Sequence, residues 1–327
     1  MQLKHIESIY SKGWWGLYYT NPGVPNFKKT NIENPEKALI RLIKNAKKSF
    51  YGAFYEISSK NIAMALLLAH KRGVNVKLIT DSDNMDNNIV RLIYKKGIMV
   101  RDDARSGLMH NKFAVIDENI VWTGSYNLTN NGSNKNNNNA IEIHSKDLAC
   151  IYNNEFFEMF KYRIFGNKKE LGPFSSIRKK YYVKIGNTNI NVYFSPEDNI
   201  ERIILKKIKK ASKSIHFMAF SFTSNKIGEM MIQKFKKGIE VYGIFEKIGA
   251  KSRHSEFIKM KIEGLPVRLD KNKNRMHHKV IIIDKRRVLT GSYNFSKSAN
   301  KRNDENILMI DNKKIAKEYL KEFYRLY

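Results

Sequence analysis

Two histidines, two lysines, two asparagines and two serines recur in this chain at one fixed spacing. Residues 109–127 read MHNKFAVIDENIVWTGSYN and residues 276–294 read MHHKVIIIDKRRVLTGSYN, with eleven identities at a constant offset of 167 residues and no gap. His110 and Lys112 lie two apart, as do His277 and Lys279. On a strand, positions i and i+2 share a face, so imidazole and ammonium point the same way. Gly124 and Gly291 permit close backbone approach, Ser125 and Ser292 present hydroxyls, and Asn127 and Asn294 add amides. Such an inventory suits a phosphodiester. Lys112, Lys279, Ser125, Ser292, Asn127 and Asn294 would hold its non-bridging oxygens, while the two imidazoles do the covalent work. A metal is the rival use of paired histidines, but lysines beside both, and no Asp, Glu or Cys at ligand spacing, argue against it. Asp117 and Asp284 fall at odd spacing from the histidines and read as structural strand-end residues. Most of the matched positions are polar, which a purely structural repeat would not need. One site assembled across an internal two-fold axis, with a histidine from each half, is the economical reading.

The elements that must position these residues also repeat. Lysine-rich helical patterns at 35–48 and 199–213 are each followed by a strand, at 50–57 and 215–222. Helices at 61–72 and 226–237 are stopped by Gly73 and Gly238, and strands begin at Val74 and Ile239. The motif strands, which carry His110 and His277 and end at Asp117 and Asp284, are apolar on both faces at 113–116 and 280–283 and so belong in a sheet interior. Aromatic-rich helices at 148–162 and 313–326 close the halves. Alternating strands and helices predict an α/β fold, a mixed sheet flanked by helices in each half, with the site where the halves meet. The first half spans 1–165 with its motif at 110–127, a linker spans 166–190, and the second half spans 191–327 with its motif at 277–294. Residues 131–139, NGSNKNNNN, read as a polar surface loop beside the first motif, one that could line the substrate path.

Composition narrows the partners. Lys+Arg of 60 against Asp+Glu of 31 gives a formal charge of +29, which favours a polyanion, nucleic acid before an anionic membrane. Hydrophobic residues at 42% are enough for a true core. Cys150 is the only cysteine, which excludes an internal disulfide and a thiolate cluster; its apolar neighbours mark it as a small core residue. No signal-peptide pattern or long apolar run is present, so a cytoplasmic chain without a transmembrane segment is expected.

The motif H-x-K-x4-D-x6-G-S-x-N, met without a mismatch by both copies, resembles the signature of the phospholipase D superfamily. Residues 276–310 look most like its endonuclease and mitochondrial phospholipase D-like branch. The resemblance implies two halves, each with a mixed sheet, a shared active site, and a metal-independent reaction without cofactor through a phosphohistidine. One departure stands out. The family carries an acidic residue downstream of G-S-x-N; here it is Glu305 in the second half, whereas the first half has Asn138 at the same offset and Glu142 four residues on. A carboxylate beside an imidazole fixes its tautomer and stabilises its positive charge. By the resemblance, Glu305 serves the histidine of the other half, making His110 the nucleophile and His277 the general acid and base.

Three functions follow from this reading: a nuclease on single-stranded nucleic acid, a phospholipase or cardiolipin-synthase-like phosphatidyl transferase, or a non-catalytic nucleic-acid-binding protein. The +29 charge and the nuclease-like second half favour the first. The second calls for an exposed apolar docking surface, of which Trp14-Trp15 is the one hint, and that pair reads more readily as a buried aromatic pair. Complete His/Lys/Asn sets in both halves argue against the third. One chain supplies both motifs, so a monomer suffices.

Overall fold

A computed structural model describes residues 9–10, 13–22, 33–171 and 182–327. The first sheet contains β1 (Ile9–Tyr10), β2 (Trp15–Tyr19), β3 (Ser49–Phe54), β4 (Asn75–Ile79), β5 (Met99–Arg101), β6 (Lys112–Ile116), β7 (Ile120–Gly124) and β8 (Asn139–His144). Its strand order is β1-β2-β8-β7-β6-β3-β4-β5. The second contains β9 (Tyr182–Ile185), β10 (Thr188–Ser195), β11 (Ser214–Ala219), β12 (Glu240–Phe245), β13 (Val267–Leu269), β14 (Lys279–Ile283), β15 (Arg287–Gly291) and β16 (Glu305–Asp311). Its order, β9-β10-β16-β15-β14-β11-β12-β13, repeats the first strand for strand. In each half three strands run parallel (β3, β4, β5; β11, β12, β13) and the rest pair antiparallel. The mixed sheets and the two-fold repetition are as the sequence predicts.

Helices α1 (Pro35–Asn45), α2 (Lys60–Lys71), α3 (Asn88–Lys95), α4 (Asn130–Asn134) and α5 (Lys146–Tyr162) belong to the first half. In the second are α6 (Ile200–Lys209), α7 (Asn225–Lys236), α8 (Glu256–Ile262), α9 (Lys297–Lys301) and α10 (Lys313–Leu326). Their starts follow local chemistry. Asn34 accepts the Lys37 N–H at 2.9 Å with Pro35 in the first turn, and Ser59 and Ser224 cap α2 and α7. Those two serines donate to Glu36 and Glu201, each at 2.6 Å, so each pair of outer helices is tied together identically.

The core is layered. Tyr18, Phe50, Ala114, Ile116 and Trp122 pack outward against α1 and α2, while Ile215, Ile281 and Ile283 do the same against α6 and α7. Phe113 and Val115 face the other way, into one continuous core with Val280 and Ile282 that also buries α5 and α10. The two sheets therefore face each other across this central layer, and the halves are fused by apolar burial.

Two sequence expectations change. The stretch 166–190 is only partly linker: Gly166–Leu171 is a 3-10 helix, and β9 and the start of β10 belong to the second sheet. Their alternation around a Gly186 turn at φ 54° makes a hairpin that the lysine-rich composition conceals; residues 172–181 lie outside the described set. Cys150 is exposed, because it falls on the outer face of α5. Trp15 is buried in the central core with Trp14 packed against it, the buried aromatic pair that the sequence favours over a docking surface.

Candidate active site

Each histidine lies two residues before the start of a motif strand, not on the strand as its spacing from the lysine suggests, and is stitched to the opposite half. The His110 N–H donates to the Asp304 carbonyl at 2.9 Å, and the Asp304 N–H donates to Leu108 at 2.8 Å. At the mirrored place the His277 N–H donates to Asn137 at 2.9 Å, and the Asn137 N–H donates to Arg275 at 2.8 Å. These short bridges decide which side chains face one another, since Asp304 precedes Glu305 and Asn137 precedes Asn138.

Nδ1 of His110 lies 2.8 Å from Oε2 of Glu305. With the proton on Nδ1, Nε2 keeps the lone pair that a nucleophile needs. Nδ1 of His277 instead faces two neutral acceptors, the Ser125 carbonyl at 2.9 Å and Oδ1 of Asn138 at 3.0 Å. The residue at the Glu305 offset is thus in the Glu305 place, and only its charge is missing. Glu142 is not a substitute; it is buried among Tyr18, Arg41 and His144, away from His277.

Ser125 and Ser292 are fully buried. Ser125 Oγ donates to Asn138 Oδ1 at 2.9 Å and accepts the Asn139 N–H, and Ser292 Oγ accepts the Asn306 N–H. These hydroxyls hold the orienting residues in place, a correction to their reading as phosphate ligands. Gly124 and Gly291 let this happen: a Cβ on either would stand 2.3 Å from the carbonyl of Asn139 or Asn306. Asp117 and Asp284 each accept three successive backbone N–H groups, at 47–49 and at 212–214, and so tie the far ends of the motif strands. Residues 136–139 are not a free surface loop. Asn137, Asn138 and Asn139 are buried at the interface, because each amide is needed by the opposite half.

The lysines lie beneath the histidines. Lys112 Nζ donates to the His110 carbonyl at 2.9 Å, and Lys279 Nζ reaches the His277 carbonyl at 3.0 Å and His277 Nε2 at 3.1 Å. Both are 1% exposed. Burial pushes Lys112 down to about 7, against the pull of Glu305 and Glu56, and drives Lys279 well below its ordinary range. Burial, then the two ammonium groups, lowers both histidines. Burial lifts the Glu305 carboxyl to about 8, opposed by Lys112, Ser292 and Lys279. The lysines and histidines of the cluster hold their protons weakly because they are buried with too little counter-charge, so an arriving anion would strengthen that hold and the cluster gains from binding one. Asn127 and Asn294 each keep a buried Oδ1 with no hydrogen-bond partner.

Several contributors escape sequence reasoning. The Tyr55 ring lies 5.1 Å from His110 and under Lys112, and the Phe220 ring 4.5 Å from His277 and under Lys279. Asn306 accepts from Thr123 at 2.7 Å and donates to Asn111, while Asn139 accepts from Thr290 at 2.9 Å and faces His278 Nδ1. These pairs join the halves directly behind the orienting residues. The equal offset of Asn139 and Asn306 is the signal that could have found them; Tyr55 and Phe220 have none, since their rings differ and their spacing is 165. Among the described residues no group of three His, Cys, Asp or Glu side chains could hold a metal ion.

A family profile described as "Cardiolipin synthase, PLD-like domain" matches residues 39–160 and 204–327, one copy per half. The chain belongs to the phospholipase D superfamily. It is 31% identical over 152 residues to a phospholipase D of Rickettsia prowazekii, covering 46% of this chain and 74% of that one. It is 33% identical over 152 residues to the human mitochondrial cardiolipin hydrolase, covering 43% and 60%. A phosphatidylserine synthase from Haemophilus influenzae shares the fold over 89% of this chain and 83% of its own, with a TM-score of 0.67 and 16% identity. Membership makes the chain a phosphodiesterase of this superfamily with two phospholipase D-like halves. No described helix is long and apolar enough to cross a membrane.

Proposed function

We propose that the chain hydrolyses phosphodiesters of single-stranded nucleic acid through a phosphohistidine on His110, without metal or cofactor. The observation that carries the mechanism is the contact of Glu305 with His110, against the neutral Asn138 on His277. Nε2 of His110 attacks phosphorus and forms the P–N bond. The P–O bond to the leaving fragment breaks, and the departing oxygen takes a proton from Nε2 of His277. Lys279, 3.1 Å from that nitrogen and with a weakened hold on its own proton, can load Nε2 with that proton before the P–O bond breaks, so His277 is left neutral and free to accept the next one. Water then attacks phosphorus, gives its proton to His277, and returns the P–N electrons to His110. Lys112 and Lys279 balance the non-bridging oxygens, and Asn127 and Asn294 complete their surround.

The net charge of +29 supports nucleic acid as the substrate. A lipid phosphodiesterase or phosphatidyl transferase is the second reading, favoured by the names of the Rickettsia and human relatives. The test is incubation in excess EDTA with labelled single- and double-stranded oligonucleotides and with phosphatidylcholine or phosphatidylglycerol vesicles, using His110→Asn as control. Cutting of the single strand is expected. Lipid cleavage or headgroup exchange with no oligonucleotide cut would establish the second reading, and activity that chelator abolishes and a divalent cation restores would sink the mechanism.

A further inference from the structure

Parallel pairing puts four loops on the same sheet edges as the histidines. In the first half these are residues 80–87, after β4, and 102–108, after β5; in the second they are 246–255, after β12, and 270–275, after β13. Both sets reach the site. Asp81 accepts the Met109 N–H at 2.8 Å, and Arg275 accepts the Asn137 N–H at 2.8 Å. Because the two halves repeat one topology, each set of loops is the natural comparison for the other.

Their charges are opposite. The second-half loops carry six cations, Lys247, Lys251, Arg253, Lys271, Lys273 and Arg275, against Glu246 and Asp270, a net +4. The first-half loops carry five carboxylates, Asp81, Asp83, Asp86, Asp102 and Asp103, against Arg105, a net −4. Pairing trims the contrast without reversing it. Asp86 and Asp102 are bound by Arg91 and Arg163, and Arg105 is bound to Asp304. Lys251, Arg253, Lys271 and Lys273 are exposed and have no carboxylate partner among the described residues. Lys135 and Arg302, exposed where each half crosses to the other rim, stand at mirrored places and leave the difference unchanged.

Chemistry gives this asymmetry a direction. In-line attack by His110 puts the leaving oxygen on the far side of phosphorus, against His277 and the second half. The strand attached to that oxygen must leave the cleft over loops 246–255 and 270–275. Resting on the nuclease reading above, we propose that these two loops form a polyanion subsite for the leaving fragment of a single strand. The fragment held on His110 exits over a rim that repels phosphate. Substrate engagement is therefore directional, and the enzyme grips the part it releases with a free hydroxyl.

The test uses two single-stranded oligonucleotides, each with one cleavable phosphodiester and neutral methylphosphonates elsewhere, except for four ordinary phosphates placed on one side only. On the leaving side, four contacts at a log–log slope of about −0.7 each predict a salt slope near −2.8 in kcat/KM, about a 50-fold fall between 50 and 200 mM salt. Phosphates on the retained side should give a slope near zero. Neutralising the rim with K251Q, R253Q, K271Q and K273Q together should flatten the first slope, with the fold checked by circular dichroism and melting. Equal slopes for the two substrates, with both cut, would overturn the directional subsite and leave the nuclease reading intact. Absence of cleavage of either substrate and of any unmodified oligonucleotide would overturn both. Rim-dependent binding to phosphatidylglycerol vesicles with equal oligonucleotide slopes would give the rim to a lipid surface instead.

Discussion

Glu305→Gln isolates the charge that distinguishes the two histidines. Gln keeps an acceptor oxygen near Nδ1 of His110, so the 2.8 Å contact can persist while its charge is lost. The phospho-adduct of His110 is an imidazolium, and a unit charge about 4 Å away at an effective dielectric of about 20 is worth about 4 kcal/mol. Full loss slows adduct formation about a thousandfold, and relaxation of neighbouring dipoles leaves about 10²- to 10³-fold. Asn138→Ala removes a neutral acceptor from His277 while the Ser125 carbonyl remains at 2.9 Å, a loss of about 1 kcal/mol and less than about tenfold. Rapid-quench measurement of the covalent adduct, with a substrate carrying a good leaving group, compares the two directly. A fold control comes with the substitution. Burial raises Glu305 to about 8 from an ordinary 4.5, so the native state binds the proton more tightly than the unfolded chain does. That contribution to stability is complete below the unfolded value and is lost as pH rises through about 8. E305Q should therefore gain in melting temperature relative to the wild type across that window. Adduct formation by E305Q within threefold of wild type, or slower formation by N138A than by E305Q, would refute the assignment of His110.

Other outcomes follow from the same geometry. The reactive state needs Glu305 ionised, with a pKa lifted to about 8, and Lys112 charged, with one lowered to about 7; kcat/KM should trace a narrow bell centred between them, and a flat profile from pH 6 to 9 would contradict this. His277→Asn should still accumulate adduct at His110 when the leaving group needs no protonation, recovering much of an about 10²–10⁴-fold defect, whereas peptide mapping of the adduct to His277 would reverse the roles. Asp284→Ala leaves the N–H groups of Ser212, Lys213 and Ser214 without their carboxylate; denaturant unfolding should show a loss of about 1–3 kcal/mol, with turnover per folded molecule retained.

Much of the fold was legible because its determinants are local. Stops at Gly73 and Gly238 and doubly apolar strands lie within a few residues of what they control. The 167-residue repeat then carries every such reading from one half to the other. Residue type and spacing likewise mark His110, Lys112, His277 and Lys279, because a strand converts an interval of two into a shared face. Which acid meets which histidine is another matter. His110 and Glu305 are 195 residues apart, and their 2.8 Å contact exists only because the chain is bridged at Met109 and Asp304 across the halves. The same bridging, at Asn137 and Met276, draws an asparagine-rich segment with every local sign of a surface loop into the interface. It turns Ser125 and Ser292 from substrate toward the orienting residues, and packing of α5 alone leaves Cys150 in solvent. Local pattern sets what each residue can do; burial across the interface sets what it faces, because that geometry is the sum of long-range contacts that no short window of sequence contains.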